Sequence, residues 1–243
     1  MFLKNKKIVI TGGTSGIGYQ LVKKLSKDNA LIVIGKDIKK LQSLKLEFEH
    51  ITTYQADLSN LTEVKAIGEY LNNTYPTIDV LINNAAVQYT PKLTDVAFCY
   101  DTIAREINLN FTSICSLCYL LLPTMTQQSS TAIININSGL ALTPKTHSAI
   151  YCGTKGALNI FSQSLRYQLS STNIEVYQAF LPVVDTQMTY GRGHGKISAS
   201  VAADRIISGI KRNVLDNYIG KVTLLKYLMQ FAPFIGRRIL KNA

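Results

Sequence analysis

Apolar residues in this chain fall either in short unbroken runs or at every third or fourth position, and the two patterns alternate almost to the end. Ile8-Val9-Ile10-Thr11, Leu31-Ile32-Val33-Ile34, Thr52-Thr53-Tyr54-Gln55, Val80-Leu81-Ile82-Asn83, Ala132-Ile133-Ile134-Asn135-Ile136-Asn137 and Ile174-Glu175-Val176-Tyr177-Gln178-Ala179 read as strands. Between them, helical spacing brings together Leu21, Val22 and Leu25, then Ile38, Leu41, Leu44 and Phe48, then a stretch from Leu61 to Leu71. A long helical stretch runs from about Ala97 to Leu122, and another passes through Leu158, Phe161, Leu165 and Leu169. Strands that alternate with helices need right-handed crossovers and a parallel sheet covered on both faces. The pattern therefore predicts an α/β, doubly wound parallel sheet of the Rossmann type. It forms one domain over 1–243, with no repeat, low-complexity tract or linker.

Ligands of such sheets bind beyond the carboxyl ends of the strands, and that is where the chemically suggestive residues fall. The first strand ends in Thr11-Gly12-Gly13-Thr14-Ser15-Gly16-Ile17-Gly18, a glycine-rich turn into a helix that reads as a phosphate cradle. Asp57 ends the third strand, Asn83-Asn84-Ala85-Ala86 the fourth and Ser138 the fifth, while Pro182 to Thr186 follow the sixth. Tyr151 and Lys155 lie one turn apart on the next-to-last predicted helix, so the ammonium is expected to lower the phenol from its usual value of about 10 and fit it for proton transfer. Spacing alone does not carry this reading. Tyr19-x-x-x-Lys23 has the same spacing on the first helix, with no chemistry expected of it.

Composition narrows the class. The chain has 243 residues, of which 47% are hydrophobic and 17% charged, which is ordinary globular composition. Cys115-x-x-Cys118 lacks a second ligand pair and sits in an apolar helical setting, so Cys115 and Cys118 are expected in the core; Cys99, Cys152 and the scattered His50, His147 and His194 indicate no metal site. The first strand is expected from about Lys7 with no signal peptide ahead of it, and no apolar run reaches the roughly 18 residues of a membrane span. A cytoplasmic location is the simplest expectation. The formal charge of +11 is spread over many helix faces rather than gathered into one aromatic-flanked stripe, which argues against nucleic-acid binding.

On these motifs the chain resembles the short-chain dehydrogenase/reductase family in its compact form, from about Lys6 to Met188. Thr11-Gly12-x-x-x-Gly16-Ile17-Gly18 is similar to that family's cofactor motif, and Asn83-Asn84-Ala85-Ala86 to its Asn-Asn-Ala-Gly, with Ala86 in place of glycine. Pro182-Val183 stands where the family usually has Pro-Gly. Within the family, the segment from Val184 to Ser198 and the basic apolar tail look most like the DltE-type oxidoreductases. The resemblance implies a nicotinamide-dependent oxidoreductase that interconverts a carbonyl and an alcohol, with a catalytic tetrad of Asn108, Ser138, Tyr151 and Lys155. It implies cofactor contacts from Thr11, Gly12, Thr14, Ser15, Gly16, Ile17, Gly18, Lys36, Asp57, Leu58, Asn84, Ala85, Tyr151, Lys155, Pro182 and Thr186. In these roles Tyr151 moves the proton, Ser138 holds the carbonyl oxygen, Lys155 also reaches the cofactor ribose, and Asn108 positions a water in the relay.

The second strand ends in Gly35-Lys36-Asp37. Gly35 stands where an acid selective for NAD is expected and Lys36 follows it, so NADP is favoured over NAD, with Asp37 keeping NAD open. The expected partners are a small-molecule carbonyl or alcohol substrate and a second copy, as a homodimer or homotetramer through the helices around 100–122 and 152–170. The alternative is a catalytically idle cofactor-binding sensor or scaffold, at a membrane surface in one version. From Lys221 to Lys241 the tail is apolar and cationic without a single acid. A cover over the cleft or a subunit interface is expected of it ahead of peripheral membrane contact, with Pro233 and Gly236 breaking it in two.

Overall fold

The computed structural model describes residues 3–126 and 130–241; the extreme ends of the predicted domain and the last two residues of the tail lie outside them. Seven strands form one parallel sheet. In chain order they are β1 (Lys7–Thr11), β2 (Ala30–Gly35), β3 (Thr52–Gln55), β4 (Val80–Asn83), β5 (Thr131–Ser138), β6 (Ile174–Leu181) and, after two short strands β7 (Val184–Asp185) and β8 (Ile197–Ser198) that pair with each other, β9 (Asp216–Tyr218). The spatial order is β3-β2-β1-β4-β5-β6-β9. The chain winds outward from β1 to β3, returns to place β4 on the other side of β1, and winds outward again. A crevice therefore opens at the carboxyl ends of β1 and β4.

The inner strands are buried on both faces, and alternate side chains feed two cores. Ile8, Ile10, Val33, Ile82 and Ile134 meet α1 (Gly16–Leu25), α2 (Ile38–Glu47) and α7 (Ala199–Lys211). Val9, Ile32, Leu81, Ile133 and Val176 meet α3 (Leu61–Thr74), α5 (Ser113–Met125) and α6 (Ala149–Gln168). The starts of the helices follow local chemistry: the Asp37 carboxylate accepts from Lys39 N and Lys40 N, Asn60 from Thr62 N, and Ser198 Oγ from Val201 N.

On the α6 side the apolar layer is interrupted by a polar ladder. The alternation Ile134-Asn135-Ile136-Asn137 sends both isoleucines to one face and both asparagines to the other. There the Asn83 amide donates to Asn135 Oδ1 at 2.9 Å, Asn135 donates to Ser162 Oγ at 2.8 Å, and Asn137 donates to Gln178 Oε1 at 2.9 Å. Gln178 in turn reaches Asn159 and Asp216. Buried amides with fixed partners allow only one register among β4, β5, β6 and α6.

The structure differs from the sequence reading in four elements. The long stretch begins at Asp101 rather than Ala97, runs to Met125, and comprises α4 (Asp101–Ile107), a π turn over Asn108–Thr112 and α5. No unbroken apolar run reaches the length of a membrane span; by average hydropathy and length this helix is apolar enough to cross a membrane, but Ile114, Leu117, Cys118, Leu121 and Met125 are spent on the core. The helix α7 and the strand β9 were not read from the pattern; β9 carries no apolar run and is held by Arg166, whose guanidinium pairs with Asp216 at 2.5 Å. The tail breaks at Ala232 into α8 (Lys221–Phe231) and α9 (Pro233–Lys241), but Gly236 breaks nothing: it lies inside α9, where a Cβ would come within 2.8 Å of Met229 Sδ.

Removing the Asn135 amide orphans a donor on Asn83 and an acceptor on Ser162, both without access to water. Asn135→Ala is expected to lower the unfolding free energy by about 2–4 kcal/mol, measured by urea titration. A loss below about 0.5 kcal/mol would show that the ladder does not hold the sheet together.

Candidate active site

The glycine turn between β1 and α1 is shaped by contacts that leave no room for side chains. Gly12 sits at φ +67°, and a Cβ there would come within 2.9 Å of Ala85 Cα; a Cβ on Gly18 would lie 2.1 Å from Gly12 O. Gly16, at φ +54°, faces Thr186 across the turn, with Thr186 Cγ2 3.1 Å from where its Cβ would be. The open rim is formed by Gly12, Thr14, Ser15, Gly16 and Ile17, and Ser15 enters α1 with its hydroxyl making no cap bond. Such a turn at a helix N-terminus presents backbone N–H groups to an anion, which fits the diphosphate of a dinucleotide.

Three of the expected cofactor contacts have their side chains engaged within the protein. Thr11 is buried, and its Oγ1 accepts from Asn84 N and Ala85 N, both at 3.0 Å. The Asn84 side chain returns the bond, donating to Thr11 O at 3.0 Å and Gly12 O at 3.1 Å. Thr11 and Asn84 thus bond to each other and fix the glycine turn against the end of β4. Leu58 likewise buries its side chain in the second core and can offer only backbone to a ligand.

At the end of β2, Lys36 Nζ lies 2.5 Å from Asp57 Oδ2 at the end of β3. Burial works against ionisation of Asp57, but the bonds from Lys36 and Ser59 outweigh it and hold the carboxyl down at about 2. Asp37 spends one carboxylate oxygen on capping α2. A Cβ on Gly35 would come within 3.2 Å of both Thr14 Cγ2 and Leu41 Cδ2, so an acid at that position would be crowded.

The structure brings Ser138, Tyr151 and Lys155 together where β5 ends and α6 begins. Ser138 Oγ accepts from Leu140 N at 3.2 Å, which fixes it at the strand end, and it is hydrogen-bonded to the Tyr151 hydroxyl. Lys155 is only 3% exposed; its Nζ donates to Ile136 O at 2.8 Å and sits 5.6 Å from the Tyr151 ring centroid. The decoy pair behaves otherwise, since the Tyr19 hydroxyl donates to Glu47 Oε1 on the surface at 2.6 Å.

Two sequence expectations need correction here. Asn108 does not face this group: its amide donates to Ser59 O at 3.2 Å, in the loop after β3. Residues two apart on a helix point about 200° apart, and it is Asn110 that looks toward α6. Fully buried, Asn110 accepts from Val87 N at 2.9 Å, donates to Val87 O at 2.8 Å, and reaches Thr154 Oγ1 at 3.4 Å, which itself donates to Tyr151 O.

The second correction concerns the phenol. Burial raises Tyr151 above its usual value, opposed by the Ser138 bond and by Arg192, while Cys152 and Glu106 push it further up. Lys155 does not reverse this because its ammonium is turned to the Ile136 carbonyl. Burial also pulls Lys155 down to about 8, with Glu106 working in the other direction.

Glu106 and Lys145 were not singled out from the sequence, and Arg192 only within the segment from Val184 to Ser198, with no role given to it. Glu106 is buried, accepts from Tyr89 N at 3.2 Å, and is pushed up to about 7 by burial against that bond and the pull of Arg192 and Lys155. Arg192 belongs to the loop between Thr189 and Lys196 and donates to Met188 O. The unusual Val183 packs onto this loop: a Cβ on Gly193, at φ +77°, would come within 2.9 Å of Val183 Cγ1. Cys118 lies in the core beneath, its Sγ accepting from the Asn83 amide, with its thiol pushed up to about 12 by burial.

Fold and site together define a dinucleotide-crevice protein with a serine, tyrosine and lysine at the strand ends, and the sequence matches agree. Residues 6–196 match the model of the short chain dehydrogenase family, and the chain belongs to that family. It is 36% identical over 190 residues to an uncharacterized oxidoreductase of Bacillus subtilis, DltE, covering 76% of this chain and 74% of that one. An uncharacterized oxidoreductase of Staphylococcus epidermidis is 30% identical over 211 residues, covering 84% and 90%. Among solved structures, a short chain dehydrogenase from Burkholderia cenocepacia in complex with NADP superposes with a TM-score of 0.89 at 18% identity over the whole of both chains. One from Sphingobium yanoikuyae in complex with NADPH gives 0.81 at 23% identity, covering 96% and 93%.

Asn110 and Asn108 can be separated by experiment. Asn110→Ala leaves the Val87 N–H and C=O without their side-chain partner and opens a cavity at a fully buried position, and is expected to cost about 2–4 kcal/mol in urea unfolding, against less than about 1 kcal/mol for Asn108→Ala. Equal costs would show that the two side chains share one role.

Proposed function

We propose that this protein is an NADP-preferring oxidoreductase that interconverts a carbonyl and an alcohol, with Tyr151 moving the proton at the oxygen. The observation that carries the reading is the convergence of Ser138, Tyr151 and Lys155 beside the glycine turn, on elements whose register a buried polar ladder fixes. Bound nicotinamide cofactor supplies or accepts the hydride. Ser138 and Tyr151 donate to the substrate oxygen, which takes its proton from the phenol on reduction. Arg192 and Lys155 are the cations on this side of the phenol, and Lys155 would hold the ribose hydroxyls of a bound cofactor. Asn110, in place of Asn108, holds the loop after β4 against α6 and so keeps the phenol in line.

A phenol raised by burial keeps its proton at neutral pH, as a proton donor to a carbonyl requires, whereas oxidation needs the phenolate. For the cofactor, Lys36 supplies a cation at the end of β2, paired with Asp57 in the free protein, Asp37 holds the helix cap with one carboxylate oxygen, and Gly35 is hemmed in by Thr14 and Leu41. That set favours a 2′-phosphate over free ribose hydroxyls. Gly12, Thr14, Ser15, Gly16, Ile17 and Gly18 would cradle the diphosphate, with Thr186 facing them and Pro182 beside the nicotinamide.

Tyr151→Phe is expected to abolish carbonyl reduction, by at least about a thousandfold at the scale of a lost general acid, with NADPH affinity nearly unchanged, whereas Tyr19→Phe keeps parental rates. Turnover of a carbonyl panel and cofactor fluorescence measure the two. Comparable activity in both variants would remove Tyr151 from the mechanism.

Lys36→Asp is expected to move the preference from NADP toward NAD by about 1–3 kcal/mol, seen in the KM for each cofactor before kcat. A parent protein that already prefers NAD would contradict the reading of the β2 end.

A further inference from the structure

Outside the site, the largest unexplained feature is the outer face of the α8–α9 hairpin. Its inner face is accounted for: Val222 and Leu225 are buried, and both lie within 3.5 Å of where a Cβ on Gly139 would stand, one residue beyond Ser138. Thr146 donates to Lys241 O and holds the far end of α9 against the loop before α6. The hairpin is therefore seated on the rim of the cleft. Its other side is bare. Leu224, Tyr227 and Phe231 follow one another at helical spacing along α8, and Phe234, Ile235 and Ile239 continue the apolar surface on α9, with Phe231 75% and Phe234 71% exposed. Aromatic and aliphatic groups of this size in one place are far more than a solvated end carries.

The charge around that surface has one sign. Between Lys221 and Lys241 there are five cations, Lys221, Lys226, Arg237, Arg238 and Lys241, and no acid. Arg237, Arg238 and Lys241 are all exposed and alternate with the apolar residues of α9. A second copy meeting this face through a two-fold axis would set cations against cations. Exposed Tyr119, Ile160 and Tyr167 lie instead on α5 and α6, the helices expected to pair copies. Large apolar side chains with lysines and arginines among them match the boundary between acyl chains and anionic headgroups, where the rings enter and the long cationic stems reach back to phosphate. The match to the short chain dehydrogenase family model ends at residue 196, so the hairpin lies beyond the segment that defines the family.

We propose that the α8–α9 hairpin is a peripheral membrane anchor that lays its outer apolar face into an anionic bilayer and seats the rim of the catalytic cleft on that surface. The test uses the full chain and sedimentation with vesicles of phosphatidylcholine alone or mixed with phosphatidylglycerol. Retention on the mixed vesicles is expected, weakening as salt rises. R237Q/R238Q should weaken it by about fivefold for each cation removed. F231S/F234S, which leaves the charge unchanged, should abolish it while circular dichroism stays that of the parent.

Absence of retention on the mixed vesicles overturns the proposal. So does loss in R237Q/R238Q alone, which would mean mere adsorption of a chain of charge +11. A parent that is not retained but falls to a smaller species on gel filtration when F231S/F234S is introduced would show that a second copy covers the face. None of these readouts depends on the oxidoreductase reading.

Discussion

A buried ammonium is the constraint around which this site is organised. Lys155 is almost without exposure, and a charge in that position needs a partner from the protein. It finds one in the carbonyl of Ile136, two residues before the end of β5, at 2.8 Å. That bond joins the first turns of α6 to β5, beside Ser138 and Tyr151. The polar ladder of Asn83, Asn135 and Ser162 works to the same end lower in the core, since a slip of β5 by one residue would turn its asparagines into the opposite apolar layer. The buried amides thus contribute specificity of register, and breaking the ladder leaves polar groups unpaired in the core.

The glycine turn is fixed in a comparable way, by backbone proximity and two side chains that face inward. Thr11 and Asn84 exchange hydrogen bonds across β1 and β4, so their polarity is used up within the protein. The cradle is thus rigid before any ligand arrives. Opposite it the chain has departed from the usual glycine at Val183, and the isopropyl group packs on Gly193 in the loop that also carries Arg192. The loop over the site is tethered at that point by an apolar contact.

The strands and their carboxyl-terminal residues were legible because a parallel sheet buried on both faces writes itself as apolar runs, and because ligands meet such a sheet at one end only. The sequence reading named Asn108 alone, although the place of Asn110 was itself legible. Ile114 and Leu117 mark the inward face of α5, and stepping back by four or seven residues lands on Asn110, then Glu106, whereas Asn108 falls off that stripe. Phenol titration could not be read in advance. An i, i+4 spacing says that an ammonium is near, but whether it faces the hydroxyl or a backbone carbonyl depends on the β5–α6 packing. The strand β9 escaped because Asp-Asn-Tyr has no apolar signal and its pairing depends on Arg166 from a distant helix. Arg192 was equally silent, as a loop cation near the site only through the fold.

The most direct test of the account is the pH dependence of kcat/KM for NADPH-driven carbonyl reduction. Below about 8 the Lys155 ammonium and the Tyr151 phenol both hold their protons, and above it burial strips the ammonium first. The account predicts a plateau on the acid side of about 8 and a fall as pH rises through it. A rate that climbs through the same range would mean that the proton donor is not Tyr151 supported by Lys155, and would contradict the assignment.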